Sequence, residues 1–183
     1  MDEALTEEKI DSALVYDGAL LKVRRDEVRL PDGRVGIREH IRHPGASVVI
    51  PILPSGNLLF VRQFRYPLSQ AFIEFPAGKI DFGETPLQCA MRELREETGH
   101  DGRNWREIAT FHPCIGYSDE RLVYFISEAH PAGEIEADEE EFLVNVEMSL
   151  DDALKGVREG RITDGKTVSG LFLAEKYISG AWS

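Results

Sequence analysis

Three glutamates crowd the run RELREETG at positions 92–99: Glu93, Glu96 and Glu97. On a helix stepping about 100° per residue from Leu87, Glu93 and Glu97 fall together at roughly 240–280°, with Glu96 beside them near 180°. Ala90, Met91, Leu94 and Thr98 lie within about 60° of Leu87 and form a stripe expected to face the core. Like charges at this spacing repel, so the arrangement has two readings. Arg92 and Arg95 balance a solvated face, with Arg92 and Glu96 paired one turn apart, or the carboxylates gather around a cation. Clustered carboxylate oxygens suit hard divalent ions such as Mg²⁺ or Mn²⁺.

The elements that must hold such a cluster are legible nearby. Residues 86–98 read as a helix, with Thr85 or Glu84 as its cap, Pro86 in the first turn and Gly99 at the end. Upstream come strand-like runs: ALLKVRRDEVRL, the turn PDGR and VGIREHIRH, a small sheet over residues 13–43. HPG breaks the pattern before ASVVIPIL and NLLFVRQF, which are joined by PSG, and AFIEF is a short strand running into PAG. Strands are expected at 105–112, 121–127 and 142–148, then two helices in SLDDALKGVREG and KTVSGLFLAEKYISG. The chain is therefore of the α+β type.

At 183 residues, 42% hydrophobic and 30% charged, the sequence predicts one domain with an appendage and an ordinary core. A formal charge of −12 disfavours a nucleic-acid partner, which needs a basic footprint. No apolar run is long enough to span a membrane. The acidic leader MDEALTEEKIDS is unlike a targeting segment, and two cysteines make no disulfide framework. The expected setting is the reducing cytoplasm.

Spacing separates the two readings of the acidic helix. From Gly78 the chain runs through five residues to Glu84, then seven more to Arg92-Glu93-Leu94-x-Glu96-Glu97-x-Gly99. This resembles the Nudix box, G-x5-E-x7-R-E-U-x-E-E-x-G-U with U aliphatic. Every position is met except the last, where His100 stands. The resemblance implies a Nudix α/β/α sandwich that cleaves a nucleoside diphosphate linked to a further group, using divalent ions held by Glu93, Glu96, Glu97 and the backbone carbonyl of Ala77. Mg²⁺ is the expected cofactor, with Mn²⁺ as a substitute. Gly78, Glu84, Arg92 and Gly99 take supporting roles in it, Glu84 and Arg92 as a bracing pair.

Beyond the box, VRQFRYPL, EFPAGKID and GYSDE resemble the ADP-ribose pyrophosphatase branch. The resemblance divides the chain into a leader and antiparallel β-extension at residues 1–45, for dimerisation and base binding, and a hydrolase domain at 46–183. It implies a homodimer and hydrolysis of ADP-ribose to AMP and ribose 5-phosphate, other ADP-sugars or GDP-sugars staying open. Ile115 stands where the branch commonly has proline, and Pro113 comes two residues early. The catalytic base is expected at Glu141, ahead of the FLVNV strand, with Glu139 and Glu140 as rivals. Glu120 is a further metal or substrate contact. Arg38, Glu39, Arg62 and Arg65 are candidates for holding the phosphates or the base. A non-catalytic nucleotide sensor is the rival reading, and the intact box argues against it.

Other signals carry less. GRITDGKT at 160–167 matches the phosphate-loop pattern G-x4-G-K-T, but a helical segment precedes it and Asp164 would repel an anion. It is expected to link two helices, with Thr163 or Asp164 as a cap. His112 and Cys114 have no partner pair at zinc spacing. Phe60, Phe64, Tyr66, Phe72 and Phe75 are expected mainly in the core.

Overall fold

The first strand begins inside the acidic leader. In the computed structural model, which describes residues 3–135 and 142–182, β1 spans Glu8–Asp17. It pairs antiparallel with β2 (Lys22–Arg29), which pairs with β3 (Val35–Ile41). The leader is thus partly strand, contrary to its reading as a polar lead-in. Almost every β1 side chain is exposed, so no apolar alternation marks it, and ladder hydrogen bonds define it instead. Between β2 and β3 the chain reverses where Leu30 N donates to Arg34 O at 2.8 Å, with Gly33 at φ 86°, a left-handed conformation that glycine adopts freely.

The described residues divide into two compact units. One comprises the chain up to Pro44 with Cys114–Arg121, and the other Gly45–Pro113 with the residues from Leu122 onward. The return of Cys114–Arg121 to the first unit is carried by a parallel bridge between Ile41 and Ser118 and by Ile41 N donating to Tyr117 O at 2.8 Å.

The second unit is built on a seven-stranded mixed sheet. Its main path runs β10 (Leu143–Met148), β5 (Leu58–Arg65), β4 (Ala46–Ile52), β9 (Leu122–Pro131) and β8 (His100–Phe111). β6 (Gln70–Glu74) pairs with β5, and β7 (Ala77–Lys79) with β4. β4 and β9 run parallel at its centre.

Alternation along the central strands sends side chains to two cores. Val48, Ile50, Phe60 and Tyr124 pack with Ala153 of α2 (Leu150–Arg158) and Leu171, Leu173 and Ala174 of α3 (Gly165–Ile178). Val49, Val123 and Phe125 pack with Ala90 and Leu94 of α1 (Pro86–Thr98). Helices cover both faces, because each strand residue points opposite to its neighbour. The expected α/β/α layering and the antiparallel N-terminal sheet are both present.

Of the aromatics expected in the core, Phe60 and Phe75 are fully buried and stack with ring centroids 4.7 Å apart. Phe64 and Tyr66 are exposed instead, Phe64 near the end of β5 and Tyr66 in the short turn that follows it. Phe72 is half-buried.

Candidate active site

Both ends of α1 are set by local chemistry. Thr85 caps it, its hydroxyl accepting from Gln88 N while Gln88 Oε1 accepts from Thr85 N at 2.9 Å, a reciprocal capping box. Pro86 fills the first turn, where its missing N–H costs nothing. Gly99 ends the helix at φ 70°, with its N–H donating to Arg95 O at 2.9 Å. Next to it, His100 Nδ1 lies 2.8 Å from Thr98 O, so a hydrogen bond occupies the position where an aliphatic side chain was expected.

The helix is rotated relative to the expected stripe. Cys89, Ala90, Glu93, Leu94, Glu97 and Thr98 are buried, whereas Leu87 and Met91 are 39% and 49% exposed. At about 100° per residue that buried arc is centred near 290°, beside Glu97 rather than Leu87. Hydrophobicity alone placed the stripe wrongly because two carboxylates are buried with it. Glu93 is 9% and Glu97 3% exposed, and buried charges persist only when partnered. Ala77 N donates to Glu97 Oε2 at 3.1 Å.

Arg92 binds the remaining acids together. Its Nε and Nη2 reach Glu84 Oε1 and Oε2, both at 3.0 Å, a bidentate fork. Its Nη1 donates to Glu93 Oε1 at 2.7 Å and Glu96 Oε2 at 3.0 Å, and Nη2 also to Lys79 O at 3.1 Å. The bond from Arg92 holds the Glu84 carboxyl below the usual carboxylate range. Cys89, which the sequence reading passed over, lies on the inner side of the same loop. Its Sγ is 3.4 Å from both Gly78 O and Lys79 O, and burial pushes its thiol up to about 11.

Gly78 leaves the space this packing needs. A Cβ built there would lie 1.8 Å from Glu93 Oε1. As the side chains stand, no three acidic, histidine or cysteine groups among the described residues converge on one point, because the Arg92 guanidinium is inserted between Glu93 and Glu96. The donors nonetheless match a hard dication: three carboxylates on two adjacent turns and backbone carbonyls beside a residue without a side chain. A cation already lies among them, so the chemistry of the site fits positive charge.

The other expected residues are divided. Arg62 and Arg65 stand three residues apart on β5, and strand alternation turns them to opposite faces. Arg65 lies close enough to Glu97 for that carboxylate to favour its charged form. Arg38 and Glu39 lie on β3 in the first unit, where Arg38 is engaged by Glu7. Glu120 is in that unit too, with His43 Nε2 at 3.8 Å from its Oε1. Glu139, Glu140 and Glu141 lie outside the described residues.

The sequence reading also missed Glu74, which is 2% exposed and gripped by Arg65. Its signal was available: one acid inside the apolar run AFIEF must be buried with a partner.

Comparison with known proteins decides what this helix belongs to. The family described as NUDIX domain matches residues 41–168. The chain belongs to the Nudix family. Ahead of that Nudix domain, residues 7–41 match the nucleoside diphosphate sugar hydrolase N-terminal domain, which covers the first three strands. The chain is 37% identical over 170 residues to the methanol dehydrogenase activator of Bacillus methanolicus, covering 92% of each protein. It is 36% identical over 171 residues to an ADP-ribose pyrophosphatase of Bacillus subtilis strain 168, again covering 92% of each. Its fold matches the crystal structure of an ADP compounds hydrolase with a TM-score of 0.86 at 22% identity, covering 97% of both chains. Nudix hydrolases generally need a divalent metal. No helix among the described residues is long and apolar enough to cross a membrane.

Proposed function

We propose that this Nudix enzyme hydrolyses the pyrophosphate bond of ADP-ribose, giving AMP and ribose 5-phosphate, with Mg²⁺ as cofactor and Mn²⁺ as a substitute. The observation that carries the reading is the burial of Glu93 and Glu97 on one helix, with Glu93 and Glu96 drawn onto the Arg92 guanidinium. Similarity along nearly the whole chain to an ADP-ribose pyrophosphatase supports the substrate.

A diphosphate approaching Glu93, Glu96 and Glu97 meets like charge, so it enters only when positive charge lies between. These three side chains and the Ala77 carbonyl would hold the divalent ion, which supplies charge neutralisation at the phosphoryl oxygens and a lowered pKa for bound water. Ala77 N–H holds Glu97 in orientation, and Glu84 holds Arg92. Arg65, whose Nε and Nη2 are engaged by Glu74, contacts the diphosphate with the rest of its guanidinium. Glu141 receives the proton of the attacking water. Arg38, Glu39, Arg62 and Glu120 are assigned to the nucleoside and outer phosphate contacts. The working form is a cytoplasmic homodimer, which accords with free thiols at Cys89 and Cys114 and with exposed Ile10, Leu14, Val15 and Ile37 on β1 and β3.

The test is a parallel assay of ADP-ribose, GDP-mannose, a diadenosine polyphosphate and a dNTP with Mg²⁺. ADP-ribose should give the highest kcat/KM. Preference for the dNTP would overturn the substrate assignment, and turnover undiminished by a chelator would overturn the metal assignment.

A further inference from the structure

The run GRITDGKT ends in a chain of alternating charges. Asp164 Oδ2 accepts from Thr167 N at 3.0 Å and from Thr167 Oγ1 at 2.7 Å, so a carboxylate caps the start of α3, where it repels an anion. Lys166 Nζ pairs with Asp164 Oδ2 at 2.9 Å and, on its other side, with Glu74. Glu74 in turn takes Arg65 in a fork, Nε to Oε1 and Nη2 to Oε2, both 2.8 Å. Thr167 Oγ1 accepts from Phe75 N at 2.9 Å, so α3 is fastened to the end of β6 through backbone as well as charge. Arg65, Lys166, Glu74 and Asp164 line a cavity of about 380 Å³ with Leu68 and Phe72 as its apolar wall.

Two cations and two carboxylates make this network neutral overall, with Lys166 shared between Glu74 and Asp164. Its geometry, in which both cations bond to Glu74, is what bears on Arg65. Burial pushes the Glu74 carboxyl up, but Arg65 and then Lys166 hold it below the usual carboxylate range. With Lys166, itself held by Asp164, bonded to Glu74 Oε2, the two carboxylate oxygens define the plane of the Arg65 guanidinium. The fork occupies Nε and Nη2, and Glu74 stands three residues ahead of Ala77, whose N–H holds Glu97 at 3.1 Å.

We propose that Lys166, held by Asp164, is a positioning residue that acts through Glu74 to orient Arg65 toward the substrate diphosphate. This rests on the reading of Arg65 as a diphosphate contact. The charges in the phosphate-loop look-alike thus serve an anion indirectly: the lysine fixes the acid, and the acid fixes the arginine that meets the substrate. A guanidinium free to swing would lose geometry in the bound complex more than it would slow the chemistry, so the effect belongs mainly to KM.

Steady-state kinetics with ADP-ribose at saturating Mg²⁺ tests this. Lys166→Met should raise KM about tenfold while kcat changes less than about threefold, the size of one charge-assisted hydrogen bond. Lys166→Arg should restore KM to within about threefold, since it keeps the charge. Arg65→Met should raise KM at least as far, and the double variant no further than Arg65→Met alone, because both substitutions disable one guanidinium. If circular dichroism shows Lys166→Met unfolded, Lys166→Gln carries the same expectation. A wild-type KM in the folded lysine variant, or additive effects in the double variant, overturns the proposal. An unchanged KM in Arg65→Met would instead refute the diphosphate role of Arg65, and failure of the wild-type enzyme on ADP-ribose would refute the substrate.

Discussion

Gly78 and Glu93 stand so close that a Cβ on the glycine would lie 1.8 Å from the glutamate Oε1. The glycine is required by a side chain rather than by its own φ, and this joins the loop to the acidic helix. Gly78→Ala must push the Glu93 carboxylate aside. Because that carboxylate ends a flexible side chain, the fold should lose only about 1–2 kcal/mol. Activity should fall at least about 100-fold, since the displaced oxygens are the proposed metal donors. Urea unfolding and kcat/KM, measured on the same preparation, check both halves.

Glu97→Gln keeps the shape and an acceptor for Ala77 N–H but removes the charge at the centre of the buried face. The folded state should persist, with turnover reduced at least about 100-fold, or about 2.7 kcal/mol of barrier. Isothermal titration with Mn²⁺ should show weakened binding alongside the kinetic loss. Wild-type turnover in this variant would remove Glu97 from the mechanism.

Glu74 couples stability to acid. Its folded-state pKa is depressed, so its contribution is fully present above the unfolded value of about 4.3 and is lost as pH falls through the lower folded value. Glu74→Gln should therefore destabilise at pH 7 and cost less as the pH drops below about 4. At neutral pH the loss should be roughly 2–3 kcal/mol, less than for a fully buried pair because the Arg65 side chain is 44% exposed. Denaturant melts across that pH range would show the two stability curves converging. Parallel curves would mean the carboxylate titrates elsewhere.

The two thiols should differ sharply. Cys89 is fully buried with its thiol pushed up to about 11, whereas Cys114 is only half-buried beside Tyr117. Ellman's reagent at pH 8 should titrate one thiol per chain in the native state and two after denaturation. Cys114→Ser should abolish the native reaction. Rapid reaction of two native thiols would contradict the packing of α1 on its loop.

The sequence by itself determined the ends of α1, because Thr85, Pro86, Gln88 and Gly99 act through bonds to residues at most four positions away. It also determined the box spacing that carried the family, and it marked β4 and β5 by their apolar runs. It misjudged which way α1 faces. Leu87 and Met91 look like core on hydrophobicity, but Glu93 and Glu97 are buried in their place once Arg92 and Ala77 N–H meet them.

Only tertiary structure decided the long-range pairs. β1 has no periodic signature, because its exposed side chains leave its placement to the ladder with β2 and to polar links such as Arg24 Nε donating to Ser12 Oγ. Glu74 and Lys166 are 92 residues apart in sequence, and their charges become one network only when β6 and α3 meet. Arg62 and Arg65 look equivalent in VRQFR until the pleat sends them to opposite faces. Local bonds depend on neighbouring residue types and can be read along the chain. A buried charge depends on which distant partner the fold delivers, and that information exists only in three dimensions.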